Sequence, residues 1–141
     1  MPVAKIVILN WNGAEHLRRF LPSVVAAAPA GVEVMVADNG STDDSLRVLA
    51  TEFPSVGVLR LEANYGFAGG YNRALKQVEA DYYLLLNSDI ETPEGWLAPI
   101  LDVLEREPDV AVVSPKLISW TDRTKFEYAG ASGGFIDFLG Y

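Results

Sequence analysis

The sequence predicts an α/β domain: a mostly parallel sheet with helices on both faces. Three observations predict it. Short apolar runs rich in β-branched residues alternate with stretches of helical period. Polar and glycine-rich residues gather where successive apolar runs end, at 10–13, 38–41, 64–70 and 87–89. The chain has 141 residues, half of them hydrophobic and 21% charged, which suits one compact core and not a disordered chain.

The elements follow in order. Val3 to Leu9 is nearly continuous in hydrophobicity, as a strand buried on both faces should be. After Asn10-Trp11-Asn12-Gly13 the period changes, and Leu17, Phe20, Leu21, Val24 and Val25 share one helical face. Val32 to Ala37 is a second strand, ending at Asp38-Asn39-Gly40. Ser41 is expected to cap the next helix with Asp44 at its third position, and Leu46, Leu49 and Phe53 form the stripe. Val56 to Leu61 is a third strand. A glycine-rich turn from Asn64 to Gly70 then leads into a helix carrying Ala74, Leu75 and Val78. Tyr82 to Leu86 is a fourth strand, ending at Asn87-Ser88-Asp89. Thr92-Pro93 is expected to start a helix with Trp96, Ile100, Leu101 and Leu104 on its apolar side, its first turn disturbed by Pro99. Val110 to Val113 is expected as a fifth strand.

Alternation of this kind implies right-handed crossovers, and ligands on such sheets bind beyond the carboxyl ends of the strands. Composition narrows the ligand. The net charge of −8, from 19 acidic against 11 basic residues, argues against nucleic acid, which needs clustered Lys and Arg. A small phosphate ligand is still compatible, because backbone N–H groups or a bound cation can supply positive charge. With no cysteine, disulfides and thiolate metal sites are excluded. The strand pattern begins almost at once, without a basic start or a long apolar leader, so a cytoplasmic setting is expected, free or peripheral at the inner face of the membrane.

Each motif has two readings. Asp38 suits an Asx turn before a helix, and equally an acceptor for the imide N–H of a pyrimidine base. The glycines of 64–70 suit simple turn geometry, and equally close approach of backbone to a diphosphate beside a helix N-terminus. Asp89 suits a turn, and equally a ligand for Mg²⁺ or Mn²⁺ with phosphate oxygens completing the shell. Neither the dinucleotide fingerprint nor a P-loop is present. Trp11 suits packing or stacking on a base. His16, Lys116 and Glu105-Arg106-Glu107 read as solvated surface.

In combination, Ile8-Leu9-Asn10-Trp11-Asn12, Val36 to Asp43, Asn64 to Asn72 and Leu85-Leu86-Asn87-Ser88-Asp89 resemble the family 2 glycosyltransferases with the GT-A fold, over roughly residues 3–120. The Asn-x-Asp form and the glycine block are most similar to rhamnosyltransferases and related bacterial surface-polysaccharide enzymes. The resemblance implies a nucleoside diphosphate sugar donor, dTDP- or UDP-linked, and a glycan or lipid-linked acceptor. It implies that Asn10 and Asn12 lie beside base and ribose and that Asp38 recognises the pyrimidine. Asn64, Gly69, Gly70 and Asn72 would line nucleotide and diphosphate. Asp89 would bind Mg²⁺ or Mn²⁺, while Asn87, which replaces the family's first Asp, and Ser88 would contact the nucleotide sugar.

An inverting transferase needs a general base to deprotonate the acceptor. The family places it in an acidic motif well beyond the Asp-x-Asp position, and nothing after Asp89 matches; Glu127 and Asp137 read as loop residues. The expectation is a donor-binding domain over 1–120 and the start of an acceptor-side region over 121–141, the fold being truncated on its C-terminal side. The base would then lie beyond residue 141, and the fragment would be inactive alone. The apolar stretch 133–141 would pack on missing sequence or on a second copy. Two other classes stay open: a sugar nucleotidyltransferase, which would want a basic glycine-rich loop after the first strand, and a non-catalytic nucleotide-binding or assembly module.

Overall fold

The computed structural model describes residues 3–127. Its elements are β1 (Ala4–Asn10), α1 (Ala14–Ala27), β2 (Glu33–Asp38), α2 (Ser45–Glu52), β3 (Gly57–Arg60), α3 (Gly66–Leu75), β4 (Tyr82–Asn87) and α4 (Ala98–Arg106). The chain divides into two compact units, the first ending at Trp96 and the second starting at Leu97. No helix among the described residues is long and apolar enough to cross a membrane.

The first unit is a four-stranded parallel sheet in the order β3-β2-β1-β4. The chain moves outward through β2 and β3, then crosses back to place β4 on the other side of β1. With right-handed connections this reversal puts α3 on the opposite face from α1 and α2. It also makes the β1/β4 seam the switch point, where the carboxyl ends of the strands diverge.

Alternation along the strands sorts side chains between the faces. Val7, Leu9, Met35, Ala37 and Leu59 pack with Tyr71, Ala74, Leu75 and Val78 on the α3 side. The opposite face carries Ile6, Ile8 and Val36, all fully buried. The expected stripe of α1 buries Leu17, Phe20, Leu21 and Val24 and leaves Val25 outside. In α2 the core positions are Val48 and Leu49, with Leu46 only half-buried.

Three boundaries differ from expectation. The glycine-rich stretch is not a turn ahead of a helix, because α3 begins at Gly66 and holds Gly69 and Gly70 inside it. Asn64 starts this helix early: its side-chain oxygen accepts the Gly66 N–H at 2.8 Å, an Asx turn. The last helix begins at Ala98, not at Thr92-Pro93. Pro99 lies in its first turn, where a missing N–H costs nothing. Thr92 is tied elsewhere, its N–H donating to Ser23 Oγ in α1 at 3.2 Å. Finally, residues 110–113 form no strand, and Val112 is 82% exposed. A four-residue apolar run becomes a strand only where a neighbouring edge pairs with it, and no described residue pairs with this one.

Candidate functional site

Polar side chains meet where β1 and β2 end side by side, Asn10 opposite Asp38 in the register. Asn10 Nδ2 donates to Asp38 Oδ1 and to Ser41 Oγ, both at 3.2 Å. The other Asp38 oxygen accepts the Ser41 N–H at 3.1 Å. Asn12, at φ 51°, is the one non-glycine residue with positive φ among the described residues, a conformation Asn tolerates. From there its side-chain oxygen accepts the N–H groups of Thr42 and Asp43, and its own N–H donates to Ser41 Oγ at 2.9 Å. Ser41 is therefore not the cap of α2. Its hydroxyl is a junction between the β1 and β2 loops, and the helix starts later, at Ser45.

Asp43 takes over the capping work. Its two oxygens accept the N–H groups of Ala14 and Ser45, at 3.0 and 2.9 Å, so one carboxylate joins the first turns of α1 and α2. Partial burial pushes its pKa up. The hydrogen bonds from Ser45 and Ala14 outweigh this and hold it below the ordinary carboxylate value.

A second network runs from β2 to α3 through Asn39, which is buried. Its Nδ2 donates to Asn64 Oδ1 and to the Gly66 carbonyl, at 3.0 and 3.1 Å, and its Oδ1 accepts the Tyr65 N–H at 3.1 Å. Gly40 follows at φ +74°, where a Cβ would lie 2.6 Å from the Ala63 backbone. Gly70 serves packing: a Cβ there would come within 2.8 Å of Leu9 and 3.0 Å of Asn39 Nδ2, so its absence lets α3 approach the sheet.

At the switch point, Tyr71 reaches from α3 to the seam between β1 and β4. Its hydroxyl donates to the Leu86 carbonyl at 2.9 Å and accepts the Leu9 N–H at 3.4 Å. Burial pushes the phenol above its ordinary pKa against the opposing Leu9 bond, so the hydroxyl keeps its proton. A cleft of about 220 Å³ opens nearby, lined by Leu9, Trp11, Asn39, Asn64, Gly66 and Phe67.

The expected site residues thus separate. Asn10, Asn12 and Asp38 belong to one hydrogen-bonded cluster, with Asn10 fully buried and Asp38 2% exposed. Asn64 belongs to the Asn39 network. Gly69 and Asn72 lie on α3, Asn72 exposed. Asn87 and Asp89 are exposed at the end of β4, with Ser88 half-buried between them. Among the described residues, no three His, Cys, Asp or Glu side chains gather as a metal cage. One exposed carboxylate at Asp89 still fits a hard divalent cation that takes most of its ligands from phosphate and water. Asp137 and the apolar stretch 133–141 lie outside the described residues. Sequence reasoning missed Asn39, Asp43, Phe67 and Tyr71 as parts of the site. The first two stood inside a recognised motif, and the spacing of Phe67 and Tyr71, four apart on one helix, was the available signal for the others.

Comparison with known proteins is consistent with this arrangement. The family model described as glycosyl transferase family 2 matches residues 5–133. The N-acetylglucosaminyl-diphospho-decaprenol L-rhamnosyltransferase of Mycobacterium tuberculosis is 29% identical over 124 residues, covering 80% of this chain and 40% of that protein. A mannosyltransferase from Pyrobaculum calidifontis, solved in complex with GDP-Man and Mn²⁺, superposes with a TM-score of 0.70 at 22% identity, over 87% of this chain and 37% of its own. TarS from S. aureus superposes with a TM-score of 0.63 at 22% identity, over 82% of this chain and 39% of its own. The chain spans about two-fifths of the length of these relatives. It belongs to glycosyl transferase family 2, with the GT-A fold.

Proposed function

We propose that the chain forms the donor side of an inverting glycosyltransferase, which moves a sugar from a nucleoside diphosphate sugar to a glycan or lipid-linked acceptor. The observation that carries this reading is the aromatic-walled cleft beyond the carboxyl ends of β1 and β2, lined by Leu9, Trp11, Asn39, Asn64, Gly66 and Phe67, on the sheet that also bears Asp38 at the end of β2 and Asp89 beyond the end of β4. The base enters the cleft, and Asp38 accepts from a pyrimidine through lone pairs left over from its two internal bonds. Asn10 and Asn12 act from beneath by holding Asp38 and the 41–43 backbone in place. The diphosphate lies toward the N-terminus of α3, whose partial positive charge favours anions, with Asn64, Gly69 and Asn72 along its path. Gly70 contributes by bringing that helix close to the sheet.

Asp89, flanked by Asn87 and Ser88, is the residue that would hold Mg²⁺ or Mn²⁺. A cation held there would supply charge neutralisation to the departing diphosphate. With one carboxylate its affinity is modest in the absence of nucleotide. The described acidic residues after Asp89 are poorly placed as general bases: Glu91, Glu94, Glu105, Glu107, Asp109 and Glu127 are exposed, and Asp102 and Asp122 sit in ion pairs with Arg106 and Lys125. A base tuned toward neutral pH needs burial or a like charge beside it. We therefore expect this chain to bind donor without transferring sugar. Calorimetry with UDP, dTDP and GDP, with and without Mn²⁺, tests the reading. Nucleotide binding that strengthens with the cation is the expected result, and folded protein that takes up no nucleotide removes it.

A further inference from the structure

We propose that Tyr71 is a positioning residue for the bound cation: by gripping the Leu86 carbonyl from α3, its hydroxyl sets where the Asn87-Ser88-Asp89 turn stands relative to that helix. A cation at Asp89 then meets a diphosphate that lies along α3. The proposal rests on the donor-binding reading above.

The packing of α3 leaves this task to a few polar atoms. The cluster buried beneath the helix takes its strand residues from β1, β2 and β3: Val7 and Leu9, Met35 and Ala37, and Leu59. β4 is the edge strand beyond β1, and its residues on the same face, Tyr83 and Leu85, stay 40% and 52% exposed. Apolar packing therefore does little to fix β4 against α3. Two tyrosine hydroxyls do it instead, one at each end of the strand. Tyr83, near the start of β4, donates to the Val78 carbonyl at 2.7 Å and accepts the Ala80 N–H at 3.3 Å, just past the end of α3. Tyr71 closes the other end.

The grip of Tyr71 falls on the last rung of the β1/β4 ladder. Leu9 pairs with Asn87 there, so the Leu9 N–H and the Leu86 carbonyl face each other across the seam. The Tyr71 hydroxyl touches both, donating to the carbonyl at 2.9 Å and accepting the N–H at 3.4 Å. With the ring buried in the α3 cluster, that hydroxyl is a fixed point. The residues just beyond have no such anchor. Among the described residues, no side-chain hydrogen bond holds Asn87, Ser88 or Asp89. Their placement is inherited from the backbone at Leu86. Such placement matters most for a cation that has one protein carboxylate and takes its other ligands from phosphate and water. A shift of Asp89 relative to α3 weakens the bridge through the cation before it touches the other contacts of the nucleotide.

The test is calorimetry with UDP, dTDP and GDP, with and without Mn²⁺, on wild type, Tyr71→Phe and Tyr83→Phe, beside thermal melts of all three. Both substitutions remove one hydroxyl and keep the ring, so both should melt a few degrees lower. Cation-free nucleotide affinity should be unchanged in each. Tyr71→Phe alone should cut the strengthening by Mn²⁺, by a factor of about two to ten, the span of one hydrogen bond. A Tyr71→Phe protein that keeps the full Mn²⁺ response overturns the proposal and leaves the donor-binding reading standing. An equal loss of response in Tyr83→Phe also overturns it, since β4 would then be loosened as a whole. So does an equal loss of cation-free affinity in Tyr71→Phe, which would mean damage to the seat of the nucleotide. Wild-type binding indifferent to Mn²⁺ overturns the proposal together with the cation site at Asp89. Folded wild type that takes up no nucleotide removes the donor-binding reading as well.

Discussion

The loop after β2 and the turn after β4 both carry acidic residues at the carboxyl end of a strand, yet they are built in opposite ways. From Asp38 to Asp43, side chains are anchored to neighbours: Asp38 to Asn10 and Ser41 with lone pairs to spare, Asn39 to Tyr65, Asn64 and Gly66, Asp43 to the first turns of two helices. From Asn87 to Asp89, the Asn87 and Asp89 side chains face solvent and make no hydrogen bond to the described residues. Buried polar atoms must find partners inside the protein, and exposed ones can wait for a ligand. The first region is therefore a pre-organised floor, and the second a reserve of free valences.

This contrast sets the order of expected effects on stability. Gly40→Ala should be the most damaging, at about 3 kcal/mol, because left-handed strain of about 1–2 kcal/mol adds to overpacking against the Ala63 backbone of similar size. A fall in Tm on the order of 10 °C in a thermal melt is expected. An unchanged melt would mean that the 38–43 loop is softer than its hydrogen bonds imply.

Asp43→Asn comes next, with a loss of under about 1 kcal/mol, since the amide keeps one acceptor and loses the charge favoured at helix N-termini. Its clearer signature is pH dependence. The Asp43 pKa is depressed in the folded state, so the stability it adds is fully present above the ordinary carboxylate value, about 3.9. That stability is lost as pH falls through the lower, folded value. Acid denaturation curves of wild type and Asp43→Asn should therefore converge at the acid end and separate above it. Parallel curves across the whole range would remove the two-helix role of this carboxylate.

Asp89→Ala should change stability least, within about 0.5 kcal/mol, as for an exposed side chain without partners. In nucleotide titrations the order reverses: Asp89→Ala should abolish the strengthening by Mn²⁺ while leaving cation-free binding intact. A variant that melts lower, or that keeps its full Mn²⁺ response, would erase the distinction between floor and reserve.

How far the sequence reached differs between these regions. The four strand ends and the alternation of period were legible, because a strand buried on both faces demands a long apolar run, which Val3 to Leu9 provides, and Tyr82 to Leu86 is as apolar although Tyr83 and Leu85 stay exposed. The network around Asn39 was not legible. Its partners Asn64, Tyr65 and Gly66 lie about 25 residues away, and only the pairing of β2 between β1 and β3 brings them together. Ser41 was misassigned for a related reason. A Ser ahead of a helical run satisfies the local rule for a cap, but Asn12 and Asn10 compete for its hydroxyl through the fold. The run from Val110 to Val113 failed as a strand because apolar residues alone do not supply an edge to pair with.

By itself, then, the sequence determined the α/β class, the placement of polar motifs at strand ends and the family to which they point. These rest on periodicity and local composition, which act over a few residues. Tertiary structure decided which of those polar groups are spent and which are free. It made Asp38 and Asn39 a buried floor, Asp43 a joint between two helices, and Phe67 a wall of the cleft. Hydrogen-bond satisfaction and exposure depend on neighbours remote in the chain, and no local pattern specifies them.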